Sequence, residues 1–159
     1  MPAFTIRPAT AEDQTTIRSL VRSAGINPMS LSWPQFLVAE EGGRTVGIGQ
    51  VKRHRDGSRE LASLAVVPDR QGQGIGSALV LALIGRHKDT VLHLTCRSQL
   101  QAYYERFGFR RLERAEFPPY FARFIPMFNA IGRLYRMQIV VMRREPDRNP
   151  STPGSLEPS

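Results

Sequence analysis

Apolar and polar residues alternate over 4–7 as in a short strand, and Thr10 followed by Glu12 and Asp13 places a side-chain cap and negative charge where a helix should begin. Ile17, Leu20, Val21 and Ala24 then recur at i, i+3, i+4 and i+7 as one apolar stripe, and Gly25 supplies a left-handed stop. Residues 27–34 read as loop with room for a helical turn. Segments 36–40 and 45–52 are rich in strand formers and are joined by Glu41-Gly42-Gly43-Arg44, a hairpin connection. Asp56-Gly57 marks a second turn, and residues 60–67 form a third strand ending at Pro68.

From Gly72 the pattern changes. A glycine-rich turn opens onto residues 77–84, apolar nearly all round and therefore a buried helix, which closes near Gly85. Residues 91–95 read as a strand. Leu100, Tyr103, Tyr104 and Phe107 make a second helical stripe with Gly108 as its stop, and 109–112 and 137–142 are closing strands. This order predicts a mixed α/β (α+β) domain with helices on both faces of a largely antiparallel sheet, and not a regular βαβ repeat. After Glu145 come four prolines and almost no apolar residue, so 1–145 is expected to form the domain and 146–159 a disordered tail.

Length and composition sharpen this picture by exclusion. A chain of 159 residues, 41% hydrophobic, holds one domain with a real core. A single cysteine, Cys96, excludes a disulfide scaffold, and three scattered histidines give no metal-ligand spacing, so no metal site is expected. The longest apolar run, near 78–84, falls far short of the roughly 20 residues that span a bilayer. The N-terminus lacks a charged-then-apolar signal pattern. A soluble cytoplasmic protein with no membrane partner is the expectation. The net charge of +8 admits nucleic acid or an anionic cofactor as partner. All basic residues but Lys52 and Lys88 are arginines, dispersed with no run of five or six, which favours a solvated surface over a nucleic-acid patch.

The chemistry concentrates in the segment from Glu60 to Gly76, where a strand runs into a turn holding Gly72, Gly74 and Gly76 and then into a helix. Such a turn aims free N–H groups and the positive end of a helix dipole at one point, where a phosphate belongs. A tight strand-to-helix turn without a ligand is the plain alternative. The Gly-Lys-Ser/Thr ending of a nucleotide-hydrolysing loop is missing, and no acidic residue ends a strand about 20 residues on, as ribose recognition by a dinucleotide fold would need.

What remains is Val-x-Pro-x-x-Gln-x-x-Gly-x-Gly, met by Val66, Pro68, Gln71, Gly74 and Gly76, followed some thirty residues later by Tyr104-Glu-Arg-Phe-Gly-Phe109. Together these closely resemble the acetyl-CoA-dependent GNAT N-acetyltransferase family. The resemblance runs from the Ile6-Arg-Pro-Ala-Thr-x-x-Asp13 opening to the last strand near Met142. It implies a twisted, mostly antiparallel sheet of six to seven strands splayed in the middle, with acetyl-CoA as cosubstrate and a primary amine as acceptor. By the same resemblance the backbone of Gln71, Gly72, Gln73, Gly74, Ile75, Gly76 and Ser77 holds the CoA pyrophosphate. The strand ending at Val66 and Val67 pairs with the pantetheine arm.

An amine acceptor titrates near ~10.4 and must lose a proton before it attacks the thioester. Glu60, fourteen residues before Gly74, stands where similar enzymes often carry a glutamate base; a solvent-facing strand charge is its plain reading. Backbone N–H groups around Leu64, Ala65 and Val66 would face the developing oxyanion. Tyr104 occupies the family's position for the acid that protonates the CoA thiolate, against a core aromatic as the alternative, and Tyr103 reads as packing. Many relatives place an asparagine seven residues before this tyrosine. Arg97 stands there instead, so its contact to the cofactor arm passes to Ser98, Arg97 or water. Cys96 reads as a small buried hydrophobe.

Where the family usually needs a hairpin turn, this chain inserts residues 117–135, with six of the thirteen aromatics. Phe117, Phe121, Phe124 and Phe128 repeat as a helical stripe expected to break at Pro126. A helical pair over its own sheet, a lid on the acceptor cleft and a homodimer contact all stay open, with membrane contact behind them. A non-catalytic acyl-CoA sensor and a basic nucleic-acid module stand as alternatives to the enzyme.

Overall fold

In a computed structural model that describes residues 3–147, the strands join into one seven-stranded sheet of order β1-β2-β3-β4-β5-β7-β6. In chain order they are β1 (Thr5–Pro8), β2 (Phe36–Glu41), β3 (Arg44–Arg53), β4 (Arg59–Val66), β5 (Leu92–Arg97), β6 (Arg110–Arg111) and β7 (Ile139–Arg144). Every neighbouring pair is antiparallel except β4 and β5. Four helices cover the sheet: α1 (Gln14–Ala24), α2 (Ile75–Arg86), α3 (Gln101–Glu105) and α4 (Pro119–Gly132). None of the described helices is long and apolar enough to cross a membrane.

Strand alternation sorts the helices by face. Leu37, Ala39, Val51, Leu61, Leu92, Leu94 and Met142 point to one side, where they pack with α2 and the Tyr104 and Phe107 side chains of the α3 segment. Phe36, Val38, Ile48 and Ala65 point to the other, against Ile17 and Val21 of α1. Farther along that second face, Val141 packs with Phe121 and Ile125 of α4. So α1 and α4 share a face and leave a gap between them over β4 and β5. Close approach of α2 depends on Gly47: a Cβ there would lie 2.9 Å from Ile75 Cγ2 and 3.0 Å from Leu79 Cδ1. Burying Ile75, Leu79 and Leu83 contributes about 1.5–3 kcal/mol each.

The start of α1 is tied down as its sequence suggests. Thr10 and Asp13 form a reciprocal capping box, and Arg7 donates to both Asp13 oxygens at 2.8 and 3.1 Å and also pairs with Glu40 on β2. Gly25 ends the helix at φ 67°.

Several expected boundaries move. α2 begins at Ile75, so Gly76 belongs to its first turn and not to the preceding loop. β7 starts at Ile139, because Met137 is used to close the connection through its N–H to the Gly132 carbonyl at 2.9 Å. The insertion forms one helix followed by a 3-10 turn (Arg133–Tyr135), and Pro126 lies inside α4 without ending it. Proline removes one hydrogen bond there, but buried Phe121 and Ile125 hold one side of the helix. Farther along, the Asn129 amide brackets Ile139 with bonds of 2.8 and 3.0 Å. The expected tail lies, from residue 148 on, outside the described residues; Asp147 is still bound, its N–H donating to the Lys88 carbonyl at 2.8 Å.

Candidate active site

The parallel junction of β4 and β5 consists of a single register pair, Glu60 with His93. Its cause lies on the other edge of β4. Ile48 faces Ala65 while Gln50 faces Ala62, so β4 carries one residue more than β3 across that interval. The bulge places Ser63 at φ 55°, uncommon for a residue with a Cβ. Buried Gln50 secures it, donating from Nε2 to Ser63 Oγ at 2.7 Å and to the Ser30 carbonyl at 3.1 Å. Beyond Glu60 the two strands part, and among the described residues the β5-facing edge of β4 through Leu64, Ala65 and Val66 has no strand partner. Ala65 and Val67 are buried, Leu64 and Val66 half-buried.

Past Val67, a short 3-10 turn (Pro68–Arg70) leads to Gln71, whose Nε2 donates back to the Val66 carbonyl at 3.1 Å. Gly72 and Gly74 then adopt φ 76° and 84°, which glycine takes without strain. Among the described residues, none of the six N–H groups from 72 to 77 has a backbone or side-chain acceptor outside α2; the helix ladder begins at Ala78, donating to the Gly74 carbonyl at 3.0 Å. A Cβ built on Gly72 or Gly74 meets nothing within 4 Å, so open space stands in front of these donors. Free amides at the positive end of a twelve-residue helix form an anion cradle. Gln73 is exposed, and Ile75 is buried, so it offers its amide alone.

Ser77 is not a free hydroxyl. It bonds the Tyr103 hydroxyl at 2.9 Å, which ties α3 to the first turn of α2, so Tyr103 does more than pack. The Tyr104 ring stands edge-on to Tyr103 and to Phe109, and its hydroxyl has no hydrogen-bond partner among the described residues. Burial pushes Tyr104 up to about 12, so it holds its proton at neutral pH and can donate. Burial likewise pushes the Cys96 thiol up to about 11, in keeping with an unreactive buried sulfur. Ser98 is half-buried at the end of β5, its N–H donating to the Gln138 carbonyl at 2.9 Å, while Arg97 is exposed.

On the α1–α4 face of the junction, Glu60 sits in a cluster that the sequence alone did not reveal. Its Oε2 lies 2.7 Å from His54 Nε2, and the two side chains are only 12% and 10% exposed. His54 stacks on Tyr120 of α4, ring centroids 3.5 Å apart, and Asp56 Oδ2 accepts the Tyr120 N–H at 2.9 Å. Lys52 faces Glu60 across the hairpin; burial pulls its ammonium below the ordinary lysine range while the Glu60 charge pulls it back up. Buried His93 is held neutral by desolvation and by Arg143, and rests against Phe121 with centroids 5.5 Å apart. Glu60 is therefore no solvent-facing strand charge. The Asp56-Gly57 turn was the one available signal: pairing about it sets Lys52 opposite Glu60 and leaves His54 on the diagonal, within reach of the Glu60 side chain.

Above Glu60 and Thr95 opens a cavity of about 620 Å³, walled by α4 residues Tyr120, Phe124, Phe128 and Ile131 and rimmed by Met29 and Tyr135. The expected aromatic stripe is thus divided: Phe121 enters the core, while Phe124 and Phe128 face this space. Away from the cavity, Arg7, Arg44, Arg70, Arg110, Arg143 and Arg144 are paired with carboxylates, which breaks up the basic surface.

Residues 32–111, half of the chain, match the family model described as an acetyltransferase (GNAT) domain. No curated protein matches the sequence significantly. Among solved structures, N-acetylglutamate synthase from Neisseria gonorrhoeae, complexed with coenzyme A and N-acetyl-glutamate, superimposes with TM-score 0.68 at 21% identity over 91% of this chain. This chain spans 35% of the synthase's length. A Mycobacterium tuberculosis protein in complex with CoA and NLQ gives TM-score 0.67 at 20% identity, covering 89% of this chain and 98% of that one. The ribosomal-protein-S18-alanine N-acetyltransferase of Escherichia coli gives 0.66 at 20% identity, covering 94% and 99%. At these identities the likeness is one of fold.

Proposed function

Because the chain belongs to the GNAT acetyltransferase family, we propose that its domain, up to residue 145, transfers the acetyl group of acetyl-CoA directly to a primary amine held in the cavity over Glu60. The observation that carries this reading is the run of six free amides from 72 to 77, set beside a strand edge left without a partner. A pyrophosphate fits the first and an amide-bearing pantetheine chain the second, and both belong to one CoA molecule. The CoA-bound state of the similar Neisseria and Mycobacterium structures supports the same assignment.

The roles follow from the chemistry. The acceptor enters as an ammonium and gives a proton to Glu60, whose Oε1 is left free by the His54 contact at Oε2. Lys52 stands opposite it across the hairpin. The amine nitrogen bonds the thioester carbonyl carbon, the C–S bond breaks, and the charge gathering on the carbonyl oxygen meets N–H groups of the β4 edge around Leu64 to Val66. Tyr104 donates its proton to the leaving thiolate, the acylated nitrogen sheds its second proton to solvent, and solvent returns one to Tyr104; with its hydroxyl pushed up to about 12, Tyr104 acts as an acid and not as a base. Ser98, at the far side of the opening, is the candidate contact for the cofactor arm. The test is release of CoA thiol from acetyl-CoA across a panel of amines, with calorimetry for acetyl-CoA alone. Binding without turnover on any amine would leave a sensor in place of an enzyme.

A further inference from the structure

Among the described residues, only one charged group lines the cavity above the strand junction, and it is Glu60. The rest of the lining is aromatic or aliphatic, apart from Asn27, Thr95 and the Tyr120 and Tyr135 hydroxyls. Its volume of about 620 Å³ falls within the roughly 300–1,000 Å³ of small-molecule sites. Resting on the acyl-transfer reading above, we infer that the acceptor is a monoamine carried on an uncharged apolar body, an arylalkyl- or alkylamine, with its nitrogen at Glu60 and its body against α4.

Charge decides between acceptor classes. An amino acid brings a carboxylate, and no arginine or lysine lines the cavity to receive it, so it would lie unpaired among aromatic rings near Glu60. A polyamine or aminoglycoside carries several ammonium groups, and a single carboxylate meets them. A peptide N-terminus needs partners for its own N–H and C=O groups, which a wall of Phe124, Phe128 and Ile131 does not offer. One ammonium on an apolar body pairs the one charged group of the lining and brings no second charge into it.

The alternative occupant of an apolar face is a second copy of the chain, since Phe128 and Tyr135 are 52% and 76% exposed. Glu60 argues against it. One carboxylate oxygen is held by His54, and the other makes no hydrogen bond among the described residues. A subunit sealing the cavity would shut this oxygen away from water without a partner, whereas an ammonium supplies one.

The test measures CoA-thiol release with phenethylamine, butylamine, hexylamine and octylamine against phenylalanine, spermidine and kanamycin, alongside calorimetry of acetyl-CoA and light scattering. Linear amines should gain about fourfold in kcat/KM per added methylene until the cavity is full. Phenethylamine should exceed phenylalanine by at least about 100-fold. Phe128→Asp, at a half-exposed position, should fold and lose about tenfold or more on phenethylamine with acetyl-CoA affinity unchanged. Faster turnover of phenylalanine or spermidine, or no turnover of the apolar amines by protein that binds acetyl-CoA, overturns the substrate class. A dimer that Phe128→Asp converts to monomer also overturns it, giving the face to a second copy. Failure to bind acetyl-CoA at all would instead refute the acyl-transfer reading beneath it.

Discussion

Substituting Gly74 by glutamate separates a turn that needs glycine for its backbone from one that needs it for a ligand. Gly74 stands at φ 84°, and a side chain in this left-handed region costs about 1–2 kcal/mol. Nothing lies within 4 Å of an added Cβ, so no clash adds to that cost. For a domain of this size the melting temperature should fall by about 2–8 °C, and the protein should stay folded. Affinity for acetyl-CoA should fall much further. A carboxylate roughly 5 Å from a phosphate repels it by about 1–3 kcal/mol for partly screened charges, and each charge-assisted amide contact that is lost costs about 1.5–3 kcal/mol. The sum of at least about 2.5 kcal/mol is a loss of roughly 60-fold or more. The control is Gly85→Glu, the same charge near the other end of α2, where a Cβ also meets nothing within 4 Å; there the affinity should not change. Titration calorimetry read together with thermal melts decides. Equal acetyl-CoA affinity in folded Gly74→Glu and Gly85→Glu would refute the cradle.

Tyr104→Phe should lower kcat by about 10²-fold with little change in acetyl-CoA affinity; because the hydroxyl is pushed up to about 12, the loss should be a constant factor from about pH 6 to 9, read from full pH profiles. Glu60→Gln should cost about 10²- to 10⁴-fold and flatten the rising acidic limb, whereas His54→Ala, which frees Glu60 Oε2 and the Tyr120 ring, should displace that limb and raise KM for the amine; unchanged limbs in both would move the base elsewhere. Asp13→Asn should destabilise the fold by about 1–2 kcal/mol at neutral pH, since Asp13 is held low by its bonds to Arg7. With the folded value depressed, that contribution is complete above the unfolded value near ~3.9 and fades as pH falls through the lower folded value. Denaturant midpoints of wild type and variant should therefore converge in acid.

Local geometry was legible along the chain. The hairpins at Gly42-Gly43 and Asp56-Gly57, the stripe of α1 and the glycine turn all follow from dihedral preferences and periodicities that act over a few residues, and the structure contains each of them. The splay in the sheet was foreseen through the family resemblance, but its cause was not visible. Serine at φ 55° carries no mark in a strand, and it exists because Gln50, thirteen residues away, bonds its hydroxyl. Pro126 misled for the same reason: one missing hydrogen bond is a local penalty, and packing of Phe121 and Ile125 against Val141 outweighs it. Glu60 could be named from its position, yet its character comes from His54, just past the end of the facing strand, and from Tyr120, sixty residues downstream, stacked behind that histidine. Turn chemistry and period are written residue by residue, whereas burial, ion pairing and cavity shape arise only when distant segments meet in one low-dielectric space.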